Sequence, residues 1–445
     1  MEKKSRAYYQ YMLDVCDKKT GYYSSDDIEQ ITCDLLDDGE YEEALHVCKI
    51  GTTQHPGDEV VELMMSRVLC TLKRYDEAEQ LLDAHPDEKS AFCVGVRFGI
   101  DINRNGAQQA LDTLRDRLAE KAITPLEFIE IIDEHFNDLP NDITADCLRK
   151  AVSRIRSKHL GSASEEAEVL ARIGAILMDC NCHRDAIPVL EKALDLDAYD
   201  CFTWQDLARC QFSLEMWPEC RQSCEMGLAI DPTNPMFNFA LGYIHCQEGE
   251  MKEGVHHLEL MRQYLEGKLQ HDDTGIDSRE TEQQANMTYE MLGHAYITLD
   301  ELDKARECME ILAQRMPTFA DPQYQLCLIK LHHGDVNAGL NHINNAIRLD
   351  PSNDTYLSLR VTLNMELRNY DEAISDLNKL LFMHPHSQKF LLAKAELLLS
   401  TEHHEEADAA FRSLLKLKPK DHVTCSLMRS YFEAIGDSEA LKKIK

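Results

Sequence analysis

Thiols and imidazoles are the side chains best suited to chemistry in this sequence, and their spacing decides what they can reach. Cys180-Asn181-Cys182-His183 gathers two thiols and an imidazole, and Cys220 and Cys224 lie about one helical turn apart. A structural zinc site needs four ligands converging at about 2.0–2.3 Å. Neither group has a second pair at suitable spacing, and the 16 cysteines include no Cys-x-x-Cys. His256-His257, His332-His333 and His403-His404 are adjacent pairs. Neighbours on a helix diverge by about 100°, so these read as surface histidines rather than chelates. His404-Glu405-Glu406-Ala407-Asp408 comes nearest to the metalloprotease helix His-Glu-x-x-His and lacks its second histidine. There is no Gly-rich phosphate loop ending in Lys-Ser or Lys-Thr, and no Gly-x-Ser-x-Gly elbow. The expectation is a non-enzymatic chain with no catalytic residue, no cofactor and no metal site.

Composition narrows the partners. The 445 residues carry a formal net charge of −32. A nucleic acid is bound through clustered Lys and Arg that displace counterions, so it is excluded as the main partner. The acidic excess is spread along the chain and would steer a basic partner faster than an acidic one. With 44% apolar residues the chain can build a large core. No window approaches ~18 uncharged apolar residues, and the first residues are too polar for a signal peptide. The expectation is a cytoplasmic protein with reduced thiols and no membrane partner.

The elements that must position any functional residue come from an internal repeat. Pro317, Pro351, Pro385 and Pro419 are spaced by thirty-four residues, and Pro232 and Pro56 close similar blocks upstream. Between them one turn pattern recurs, as in Gly39-Glu40-Tyr41-Glu42-Glu43-Ala44, Lys73-Arg74-Tyr75-Asp76-Glu77-Ala78 and Arg368-Asn369-Tyr370-Asp371-Glu372-Ala373. Small residues (Gly174, Gly242, Gly293; Ala186, Ala305, Ala373, Ala407) let two helices approach, while large apolar residues three and four apart fill the gap. Proline after the second helix stops it. One such hairpin cannot bury its own apolar face, so neighbours must stack.

In these features the chain resembles the tetratricopeptide-repeat family, built of thirty-four-residue helical hairpins. The block 286–319 carries Tyr289, Leu292, Gly293, Tyr296, Ala305, Met309, Leu312 and Pro317 at the family's fixed places. The block from Cys201 matches through Trp204, Leu207, Ala208 and Pro232. The resemblance implies an all-α, right-handed α-solenoid. Its register places an N-terminal helix in 1–24, a repeat pair in 25–88 and degenerate hairpins in 91–160. Three repeats follow in 167–268, an insertion in 269–285, four repeats in 286–421 and capping helices in 422–445. The insertion reads either as an extended helix with a polar loop or as a lid.

What the resemblance implies about function is a concave groove lined by first helices. Carried onto this chain, the groove positions hold Phe202, Gln205, Arg209 and Phe212, then Met236, Phe239 and Tyr243, then Glu290, His294 and Tyr324. Aromatics at helical spacing are either core or groove. Trp204, Leu207 and Leu241 already fill the packing places, which leaves a second aromatic set for a partner. The Lys and Asn clamp by which some family members hold chaperone tails is missing at Gln205, Arg209, Phe239, Tyr243, Glu290 and His294. The reading is a scaffold or adaptor that binds a protein, as a peptide or helix, in that groove. The alternatives are a peptide-sensing regulator and a structural accessory subunit of an enzyme complex. The sequence leaves the oligomeric state open.

Overall fold

A computed structural model describes residues 4–16, 19, 21–84, 90–158, 162–271, 278–417 and 422–444. Those residues form an all-α solenoid of tandem helical hairpins. After α1 (Arg6–Cys16) come α2 (Ser25–Asp37) with α3 (Tyr41–Gln54), and α4 (Glu59–Thr71) with α5 (Tyr75–Ala84). Then follow α6 (Ala91–Asn105), α7 (Ala107–Ala119), α8 (Pro125–Glu134), a 3-10 turn (Phe136–Asp138) and α9 (Asn141–Lys158). The next hairpins are α10 (Ala163–Asp179) with α11 (His183–Leu196), α12 (Cys201–Ser213) with α13 (Trp217–Ile230), and α14 (Pro235–Gln247) with α15 (Met251–His271). Then come α16 (Ser278–Thr298) with α17 (Leu302–Arg315), α18 (Asp321–His332) with α19 (Val336–Leu349), and α20 (Asp354–Glu366) with α21 (Tyr370–Met383). The chain ends with α22 (Gln388–Ser400), α23 (His404–Leu417), α24 (His422–Ala434) and α25 (Ser438–Lys443).

Local chemistry sets these limits. Side chains of Asp58, Asp200, Asn353 and Ser387 accept from the first free amides of α4, α12, α20 and α22. Ser24, Thr124 and Ser162 form full capping boxes. At the turn inside a hairpin one residue takes positive φ, whether glycine (Gly249, +84°) or not (Lys73, +62°; Asp300, +61°). That left-handed residue ends the first helix and turns the chain back. α13, α17, α19 and α21 each stop two residues before Pro232, Pro317, Pro351 and Pro385.

The chain divides into two compact units, the first running through Ile244 and the second starting at His245. In the first, Leu170, Ile173, Leu177 and Leu190 belong to a core continuous with Phe128, Ile129 and Ile132, and a smaller core holds Ala208, Cys220, Cys224, Phe237 and Leu241. The small residues do what their spacing predicts. A Cβ on Gly174 would sit 2.3 Å from Leu190, while Gly227, not marked from sequence, makes a similar approach across adjacent hairpins, 2.2 Å from the Phe237 ring. In the second unit Cys327, Ile343, Leu357 and Leu377 share one core and Phe411, Met428 and Phe432 another. Asp376, only 1% exposed, is held there by two 2.7 Å bonds from the Arg360 guanidinium, so this buried charge is compensated.

The residues read from sequence as an insertion are helical where they are described. α15 continues to His271 and α16 begins at Ser278. The polar centre of that segment, 272–277, lies outside the described residues.

Candidate functional site

The residues marked from sequence fall into separate places. Those on α12 and α14 belong to the first unit. Phe202, at the start of α12, is 79% exposed. Gln205 is half-buried and accepts from Asn234 Nδ2 at 3.4 Å, and Arg209 is exposed, 3.9 Å from Asp206. Phe212, at the other end of α12, meets the rings of Tyr243 at 5.1 Å and Phe239 at 6.5 Å. Trp217, opening α13, completes the group at 5.4 Å from Phe212 and 5.6 Å from Tyr243. All four rings are half-buried. The two sequence alternatives meet here, because Phe212, Trp217 and Met236 also pack against the core of Cys220, Cys224 and Phe237. Trp217 was missed because it opens a second helix, outside the first-helix positions considered.

Phe202 stands apart from that cluster and lines a groove of about 410 Å³ between α10 and α12. The α10 wall is Glu168, Ala171, Arg172 and Ala175; Asp206 faces it from α12. The alanines carried no signal in sequence, since a floor of methyl groups reads as ordinary helix. Burial raises the Asp206 carboxyl to about 6; Arg209 pulls the other way, while Asp179 and Asp200 add to the rise. The groove thus combines an exposed ring, a small-residue floor and a carboxyl held partly out of water.

In the second unit the residues differ in kind. His294 on α16 is exposed, with Nε2 3.4 Å from Asp321 Oδ2 on α18. Its bond to Asp321 raises its pKa against the opposing effect of burial, with the charges of Asp321 and Glu290 adding to the rise. Tyr324 packs on the core of Cys327 and Ile343, its ring 5.1 Å from Tyr356. This is a titratable patch beside a packed tyrosine pair, unlike the aromatic cluster of the first unit.

The thiols behave as small apolar groups. Cys220 and Cys224 are fully buried, and Cys220 Sγ donates to the Ala208 carbonyl at 3.5 Å. Contact with Cys220 and burial both push the Cys224 thiol up. Cys182 Sγ donates to the Cys180 carbonyl at 3.6 Å instead of converging with its thiol on a common point. The histidine reading needs correction at one pair. His257 is half-buried, its ring stacked on His245 with centroids 5.6 Å apart. Adjacency drew attention to His256-His257, whereas the consequential neighbour comes from the facing helix. Burial, then His245 and His256, push His257 down to about 4.

Three sequence profiles described as Tetratricopeptide repeat match residues 35–91, 288–310 and 358–422. Among solved structures, MamA is 18% identical over 40% of this chain and 95% of its own, with a TM-score of 0.33. YrrB, titled a TPR protein with an unusual peptide-binding site, is 17% identical over 47% of this chain and 96% of its own, TM-score 0.36. PilF of Pseudomonas aeruginosa is 16% identical over 54% of this chain and all of its own, TM-score 0.37. No curated protein sequence matches. Among the described residues no helix is long and apolar enough to cross a membrane.

Proposed function

We propose that this chain, which is a tetratricopeptide-repeat protein, is a protein-interaction scaffold whose α10–α12 groove takes an extended segment of a partner carrying a basic side chain beside an apolar one. The observation that carries the reading is Phe202, a large ring left 79% exposed on the rim of a groove that also holds Asp206. An exposed ring in a concave site is a natural anchor. Asp206, Glu168 and Asp200 line the groove against a single arginine, Arg172, so a basic group is the complementary one. The chain's charge of −32 draws basic segments at long range.

Selection of peptides from a random displayed library against the immobilised chain tests the reading. Recovered sequences should pair Lys or Arg with an apolar residue. Phe202→Ala should weaken them by about tenfold or more without lowering the melting temperature, and Asp206→Asn should weaken basic peptides selectively. Recovery of sequences with no basic bias, or binding unchanged by both substitutions, would overturn it.

A further inference from the structure

We propose that the turn joining α14 to α15 binds one divalent first-row transition-metal ion of the Zn²⁺ type through His245, Glu248 and Glu250, with His257 as fourth donor. This stands on residues of the second unit and does not depend on the α10–α12 groove.

One donor atom from each of His245, Glu248 and Glu250 lies within 4.8 Å of the others. An ion at about 2.0–2.2 Å from each needs donors roughly 3–4 Å apart, so closure is a matter of side-chain rotation. The two glutamates are exposed. His245 is the fixed point: its side chain is 13% exposed, with Nδ1 2.7 Å from Glu250 Oε2. The backbone holds the same two residues together, the Glu250 amide donating to the His245 carbonyl at 2.8 Å around Gly249. The His257 ring supplies a second imidazole from the facing helix, parallel to that of His245 within 1° at 5.6 Å. Two imidazoles on one tetrahedral ion have centroids about 5 Å apart, so the His257 ring is at the right distance and joins the ion by turning out of the stack until a ring nitrogen points at it. Two nitrogens with two carboxylates suit Zn²⁺, Co²⁺ or Ni²⁺, whereas Ca²⁺ and Mg²⁺ take oxygen donors. If Nδ1 of His245 is the ligand, its hydrogen passes to Nε2 or to solvent, and Glu250 exchanges that hydrogen bond for the ion.

The test is titration of the metal-free full chain with Co²⁺ at neutral pH, read by absorption and calorimetry, followed by displacement with Zn²⁺. The expected result is one equivalent with ligand-field bands and no thiolate charge transfer. Affinity should fall about tenfold or more in His245→Ala and His257→Ala, and also in Glu250→Gln, an exposed change that spares the fold. His404→Ala should leave it unchanged. Absence of stoichiometric binding, thiolate charge transfer, or affinity undiminished in Glu250→Gln and His257→Ala would each overturn the site.

Discussion

The α12–α14 face of the first unit and the α16–α18 face of the second occupy the same places in their hairpins and are chemically different. One gathers Phe212, Trp217, Phe239 and Tyr243 into a ring cluster with Phe202 exposed beyond it. The other pairs His294 with Asp321 and leaves Tyr324 against the core. Close approach is also met differently. Between adjacent hairpins a Cβ on Gly227 of α13 would strike the Phe237 ring of α14 at 2.2 Å, whereas inside a hairpin a Cβ on Gly293 of α16 would meet the terminal methyl of Met309 on α17 at 2.4 Å, both partners being fully buried. A rigid ring and a flexible thioether meet the same demand for close approach with different tolerance. A common repeat therefore fixes where side chains stand without fixing what they do or how much change they absorb.

The sharpest way to break that comparison is Gly227→Ala against Gly293→Ala. The first should cost about 3 kcal/mol or more and the second about 1 kcal/mol, because only Met309 can swing aside. Denaturant unfolding of both variants measures this, and equal costs would remove the distinction. Within the first unit, Phe239→Ala and Tyr243→Ala should each destabilise by about 1–2 kcal/mol through lost ring contacts. Phe202→Ala should stay within about 0.5 kcal/mol. If Phe202→Ala melts with the other two, its ring packs and is no anchor.

Next in size is the titration of Asp206. Its folded pKa, about 6, lies above the unfolded value near 4. The folded state therefore holds the proton more tightly, and stability declines as pH rises from about 4 to about 6. Asp206→Asn should stabilise the chain by about 1–3 kcal/mol at pH 7 and by little at pH 4. A gain independent of pH would show that burial of the charge is not the cause. The smallest effect belongs to His294, whose raised pKa means that the Asp321 pair contributes fully below the unfolded value near 6.5 and is lost as pH rises through the folded one. His294→Gln should flatten the melting temperature between pH 6 and 8, and an unchanged slope there would mean the pair does not contribute. Both units lose stability with rising pH, one because a buried carboxyl must ionise and the other because an exposed imidazole loses its charge.

Much of the fold was legible because its signals are local. The prolines at thirty-four-residue intervals, the recurring turn before Tyr41, Tyr75 and Tyr370, and the glycines at 174 and 293 each act within one hairpin. The candidate site was legible only as a set of positions. Phe212 and Met236, read as free for a partner, also pack on the core around Phe237. Trp217 and the α10 alanines, read as neither, line the ring cluster and the groove floor.

The sequence by itself determined that the chain folds as stacked helical hairpins and which residues face the same side of a given helix. These follow from backbone chemistry and the 3.6-residue period. Only the tertiary structure decided that Phe202 and Phe212, on one helix, serve different surfaces, that Asp206 is drawn out of water against α10, and that His257 stacks on His245 of the facing helix. Each outcome depends on the offset and crossing of a neighbouring helix, and that geometry is set by how whole faces interlock, not by any residue's place in its own repeat.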